Sequence, residues 1–244
     1  MKLERVLRRV QKPARYTGGE YGSTIKDKAD VDIRYAFCYP DVYEVGMSNL
    51  GVRILYAALN ATEGVWCERA YAPWPDMEAE LRREHLPLYA LESGDPLSCF
   101  DFLGFTLQYE MCYTNVLTML DLAGIPLKAQ DRGQGDPIVM CGGPCTYNAE
   151  PVADFFDIMA IGEGEEMLPE LMLLYRKMGG RHADRQAFLR AAATELKGFY
   201  VPSLYQYAYD GPETVAIEPQ EGVPRRVTKR IVQDLDTAIY PTTY

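Results

Sequence analysis

No stretch of this sequence stays apolar long enough to span a bilayer, and its first residues lack the apolar core of a secretion signal. The expectation is a cytoplasmic protein with no membrane partner. Positive charge is in deficit: 25 Lys and Arg stand against 35 Asp and Glu, a formal net charge of −10. Broad electrostatic binding to nucleic acid is therefore not expected of this segment. Two local basic clusters (Arg5, Arg8, Arg9, Lys12 and Arg15; Arg225, Arg226, Lys229 and Arg230) read as solvated helix or linker faces. Cysteine is sparse and scattered, at Cys38, Cys67, Cys99, Cys112, Cys141 and Cys145, which argues against a disulfide framework and for a reducing compartment. Cys141 and Cys145 bracket Gly-Gly-Pro, but no further ligand follows at the spacing of a zinc or iron–sulfur site, and both read as buried thiols. No Gly-Lys-Ser/Thr follows a strand, and Gly162-x-Gly164 is too short for a dinucleotide fingerprint. A convincing catalytic base or nucleophile is also missing.

What is present is an ordinary globular composition, 48% apolar and 25% charged over 244 residues, enough for one large domain or a domain with an appendage. Two short apolar runs ending at glycines are the strongest local signals: Pro137-Ile-Val-Met-Cys-Gly-Gly-Pro144 and Asp157-Ile-Met-Ala-Ile-Gly-Glu-Gly-Glu165. In an open α/β sheet, ligands bind outside the carboxyl ends of the strands, where glycine lets backbone come close. Strands are expected at 32–39, 65–71, 100–107, 138–141 and 158–161. Helices are expected at 1–11, from Ser48 as cap through Leu59, at 76–84, 113–122, 163–178 and 185–196, with a short one at 152–156. The alternation predicts an α/β, flavodoxin-like, doubly wound and mostly parallel sheet. Beyond Gly179-Gly180 the aromatic alternation of 198–211 and a second arm at 215–231 predict a C-terminal aromatic-rich α+β extension. The expected organisation is an N-terminal helix and loop (1–30), the sheet domain (31–180), and an extension and linker (181–244).

The order of motifs resembles the cobalamin-binding-type N-terminal domain that precedes the catalytic barrel of many radical SAM proteins, and most resembles an incompletely characterised subfamily of them. The matching segments are Lys12-Pro-Ala-Arg-Tyr-Thr-Gly-Gly-Glu-Tyr, Phe37-Cys-Tyr-Pro-Asp-Val-Tyr-Glu-Val-Gly-Met-Ser, Ala72-Pro-Trp-Pro-Asp-Met-Glu, Gly104-Phe-Thr-Leu-Gln-Tyr-Glu, Cys141-Gly-Gly-Pro and Gly162-Glu-Gly-Glu. The resemblance implies a corrinoid held for radical or methyl-transfer chemistry, with the chain's own C-terminal radical SAM domain as partner. A [4Fe–4S] cluster and S-adenosylmethionine would belong to that domain, which by resemblance begins beyond Tyr244. Its C-x-x-x-C-x-x-C signature is not completed here, because Asn148 stands where a third cysteine would follow Cys145. The family's D-x-H-x-x-G loop reads Asp41-Val-Tyr-Glu-Val-Gly46, with Tyr43 in the histidine's place, so any cobalamin would lack a protein histidine on cobalt. His85 and His182, the only histidines, are expected at the far edge of the sheet.

The candidate cofactor-binding residues are Tyr43, Gly46, Ser48, Thr106, Gln108, Gly142, Gly143, Gly162 and Gly164. By resemblance, Thr106 would meet a corrinoid's nucleotide tail and Gly142-Gly143 would lie beside it. The plainer reading of each glycine is a tight turn. Glu165 and Glu166 suit a helix start and make that turn a poor phosphate cradle. Trp74, between two prolines, reads as a loop anchor against the core edge. Two rival functions stand beside the corrinoid domain: a vestigial sheet that binds no cofactor and serves as a docking or substrate-positioning module, and a self-contained enzyme using another cofactor such as a flavin.

Overall fold

Five parallel strands, each buried along nearly its whole length, set the frame of the computed structural model, which describes residues 2–211 and 213–241. They are β1 (Ile33–Tyr39), β2 (Val65–Tyr71), β3 (Phe102–Thr106), β4 (Ile138–Gly142) and β5 (Ile158–Ala160). Strands covered on both faces read as continuous apolar runs, which is why the sequence marks them so clearly. A sixth strand, β6 (Phe199–Tyr200), pairs antiparallel with β5, giving the order β2-β1-β3-β4-β5-β6. The first five follow the flavodoxin-like order 2-1-3-4-5.

The helices are α1 (Lys2–Leu7), α2 (Tyr43–Met47), α3 (Leu50–Ala61), α4 (Pro75–Glu84), α5 (Tyr113–Ala123), α6 (Gly164–Lys177) and α7 (Arg185–Glu195). α3 packs on α6, which also meets α7, while α4 packs on α5 and α1. Right-handed crossovers put these two sets on opposite faces of the sheet. Local chemistry sets the ends. α4 begins with Pro75, has Asp76 and Glu78 in its first turn and closes on Arg82 and Arg83; α5 stops at Gly124, in the left-handed region. None of the described helices is long and apolar enough to cross a membrane.

Several expectations are corrected. Residues 43–47, expected as loop, form α2. Ser48 does not cap α3: the Asn49 side chain accepts the Val52 N–H at 3.0 Å, while the Ser48 hydroxyl donates to the Val45 carbonyl at 2.9 Å. Residues 150–155, expected as a short helix at 152–156, form a 3₁₀ turn, and α1 ends at Leu7. The aromatic run after Gly198 is not a single meander. Its first two residues join the main sheet as β6, and only β7 (Tyr205–Asp210) pairs with β8 (Glu213–Pro219) as a separate hairpin.

The boundary expected at 180 falls inside the sheet's own elements. From α7, Arg185 meets Asp157 at 2.9 Å, and Arg132 meets the same carboxylate at 2.9 Å. All three are buried, and the Asp157 carboxylate also accepts the Val139 N–H at 2.8 Å. The Phe188 ring of α7 packs edge-on against Tyr175 and Phe102, at 5.0 and 5.9 Å. After β8 the chain returns to the carboxyl edge. Gly162, at φ +125°, forms a parallel bridge with Arg230, whose guanidinium reaches Glu166 at 2.8 Å and Glu170 at 2.6 Å.

Candidate functional site

Parallel strands bring the loops after β1, β3, β4 and β5 to one edge, so all nine candidate residues lie at the carboxyl edge of the sheet. They do not form one site there. Thr106, Gly142, Gly143, Gly162 and Gly164 line one cavity, together with Tyr35, Leu55 of α3 and Leu168 of α6. Tyr43, Ser48 and Gln108 are not on it, and Gly46 lines a different cleft, of about 390 Å³, with Met47, Tyr56, Arg69 and Tyr71.

The shared cavity lies where a doubly wound sheet puts its ligand, between the β1, β3 and β4 ends and the α3–α6 layer. Its volume is about 60 Å³. That is room for about two waters, against the roughly 300–1,000 Å³ of small-molecule sites. Tyr35 is part of its wall. Its ring stacks on Phe102, with centroids 6.1 Å apart, and its phenol oxygen lies where a β-carbon on Gly104 would sit. Burial pushes the Tyr35 phenol well up, so it stays neutral.

Most of the glycines are explained by contact with protein. A β-carbon on Gly46 would strike the Tyr71 ring, and one on Gly162 would strike the Arg230 backbone. On Gly143, at φ +97°, it would meet the Leu107 carbonyl oxygen at 2.8 Å, and on Gly164 it would meet Leu55 at 2.9 Å. Gly142 is the exception, with its nearest neighbour, Ala160, at 3.8 Å.

The point where the strand order reverses, between the loops after β1 and β3, is bridged. The Tyr109 hydroxyl donates to the Asp41 carboxylate, and the Asn115 amide donates to the Pro40 carbonyl at 2.9 Å. The hydrogen bond to Asp41, with some burial, pushes the Tyr109 phenol up to about 12. Beside it, the Thr106 hydroxyl accepts from the Gln108 amide at 2.6 Å. Tyr43 packs edge-on against Tyr71 at 5.5 Å, and burial followed by the nearby Glu20 raises its phenol. His85 caps the end of α4 and His182 follows α6, so both sit at the opposite edge. Trp74 is 43% exposed rather than packed into the core edge, with the Arg15 guanidinium 5.2 Å above its ring.

Above the closed crevice the loops carry uncovered apolar side chains: Val45 after β1, Tyr109 and Met111 after β3, and Tyr147 after β4 are 42, 38, 85 and 61% exposed. Sequence reasoning missed Tyr35, Gly104 and the Asp41–Tyr109 bridge. A glycine inside Phe102-Leu-Gly-Phe-Thr106 was the available signal, since a strand-interior glycine marks close approach.

Residues 51–202 match the family described as the N-terminal domain of radical SAM proteins. The match begins in α3 and ends just after β6. An uncharacterized protein of Methanocaldococcus jannaschii is similar, 24% identical over 201 residues, which is 78% of this chain and 39% of the relative. The chain thus spans about two fifths of the length of the curated relative it matches.

Proposed function

Because this chain belongs to the family of radical SAM N-terminal domains, we propose that it is a docking module that positions a radical SAM catalytic domain against the carboxyl edge of its sheet. The observation that carries this reading is the pairing of a closed crevice with an uncovered apolar rim. Tyr35 lines the narrow cavity and the Asp41–Tyr109 bridge ties the loops after β1 and β3 together, while Val45, Met111 and Tyr147 are exposed on the loops of the same edge. Isolated exposed apolar residues are ordinary; several on adjacent loops at one edge suit a protein partner. The [4Fe–4S] cluster and S-adenosylmethionine belong to that partner domain in this reading.

The corrinoid expected from the resemblance fits these residues poorly. A nucleotide tail would have to enter a space of about 60 Å³, and the glycines that would admit it are, apart from Gly142, set against protein atoms. The loops after β1, β3 and β4 also bring no histidine to the edge.

Hydrogen exchange tests the docking reading. The loops 41–48, 107–112 and 143–148 should exchange more slowly in the full-length protein than in the 244-residue chain alone. Equal exchange in the two would sink it. Incubation with hydroxocobalamin separates the rival: a bound corrinoid spectrum in the 244-residue chain would restore the cofactor reading.

A further inference from the structure

We propose that the cleft between the loop after β4 and the β7–β8 hairpin binds a small molecule carrying a flat ring and an anionic group. The cleft holds about 460 Å³, within the range of small-molecule sites and separate from the closed crevice. Tyr147, Tyr200 and Tyr205 line it, with Glu150, Arg225 and Lys229.

Tyr200 and Tyr205 are buried and form the fixed floor of the cleft. The Tyr200 hydroxyl donates to Glu150 at 2.9 Å and lies 2.5 Å from the Tyr207 hydroxyl. The Tyr205 hydroxyl donates to the Pro224 carbonyl at 2.8 Å, and its ring centroid is 4.9 Å from that of Tyr200. With their hydroxyls fixed, these side chains lose little freedom when a flat ligand arrives. Tyr147 adds a third ring, 61% exposed.

The charges select an anion. Among the described residues Lys229 forms no ion pair; its ammonium sits 5.9 Å from the centroid of the Tyr147 ring. Arg225 meets only Glu218, at 3.2 Å between two exposed side chains, a weak pair that an incoming anion can replace. Glu150, the acid of the cleft, already accepts from Tyr200. In a chain of net charge −10, this groups two cations around the exposed ring of Tyr147. The basic cluster 225–230 is thereby divided: Arg230 is tied to Glu166 and Glu170, while Arg225 and Lys229 face the cleft. Aromatic carboxylates and mononucleotides both carry the required ring and charge.

The probe is 8-anilinonaphthalene-1-sulfonate, titrated by fluorescence beside N-phenyl-1-naphthylamine, which has the same rings without the sulfonate. The sulfonate should bind at one site and weaken about five-fold in Lys229→Glu and in Arg225→Glu, the size of an exposed ion pair. Tyr147→Ala should weaken both probes, and the neutral probe should be indifferent to Lys229→Glu. Far-ultraviolet circular dichroism checks that each exposed-site variant stays folded. Displacement by adenosine monophosphate or by indole-3-carboxylate supports the site and names its anion. Displacement by neither, or sulfonate binding unchanged in Lys229→Glu, would overturn the proposal.

Discussion

The phenol oxygen of Tyr35 and a β-carbon on Gly104 would occupy the same volume, so each residue dictates the other. Gly104→Ala should destabilise the fold by about 1–3 kcal/mol through overpacking. Tyr35→Leu in the same chain should recover part of that loss. Urea midpoints of the two variants and the parent measure it. A Gly104→Ala protein as stable as the parent would mean that the crevice yields easily.

Two adjacent glycines should behave differently. A β-carbon on Gly142 would make only an ordinary contact with Ala160, at 3.8 Å, on an ordinary backbone, so Gly142→Ala should change stability by less than about 0.5 kcal/mol. Gly143 combines φ +97° with the Leu107 backbone, so Gly143→Ala should cost about 1–3 kcal/mol. Thermal midpoints of the pair test this. Equal effects would show that the close approach at Leu107 is not what requires glycine.

Asp157→Ala should be the most damaging of these changes. It strands two buried guanidinium groups, those of Arg132 and Arg185, and breaking such a cluster costs about 3–5 kcal/mol. Burial already lowers the Arg132 pKa. If the variant does not fold, Asp157→Asn, which keeps acceptor capacity, should retain native circular dichroism with a lower urea midpoint. A midpoint unchanged in Asp157→Asn would refute the assignment.

Alkali should unfold the protein more readily than mild acid. Burial raises the phenols of Tyr35, Tyr56, Tyr71, Tyr89 and Tyr175 above the usual value near 10, so the folded chain holds protons that the unfolded chain releases. Their contribution is full below pH ~10 and falls as pH rises above it. Urea midpoints should be flat from pH ~7 to 9 and drop steeply beyond. Tyr109, pushed up to about 12 chiefly by the hydrogen bond to Asp41, should titrate lower in Asp41→Asn when followed by phenolate absorbance.

The strands and most helices were legible because the fold expresses them locally: apolar runs for β1 to β5, amphipathic spacing for α3, α4 and α6, and Gly124 closing α5. What escaped depends on distant partners. β6 is two residues inside an aromatic stretch, and only β5, some forty residues earlier, makes it part of the main sheet. Gly162 read as a turn or ligand glycine because nothing nearby announces Arg230, which packs on it. Ser48 and Asn49 are both good caps, and one residue of backbone geometry decides between them. At the candidate site the sequence correctly assembled the loops at one edge. It could not register Tyr35 over Gly104, because that contact exists only once β1 and β3 are neighbours.

The bridge between Gly162 and Arg230 also has a mechanical meaning. It ties the chain to the sheet beside β5, and Arg230 grips the first turns of α6 through Glu166 and Glu170. A pull on the polypeptide beyond Pro241 is therefore borne at this mooring before it reaches the hairpin. From Val232, itself held by the Glu163 carboxylate, the chain onward to Pro241 can reach at most about 30 Å. That span carries it to the cleft beside α2 and α3, where Tyr240 and Pro241 join Gly46, Arg69 and Tyr71 in the wall.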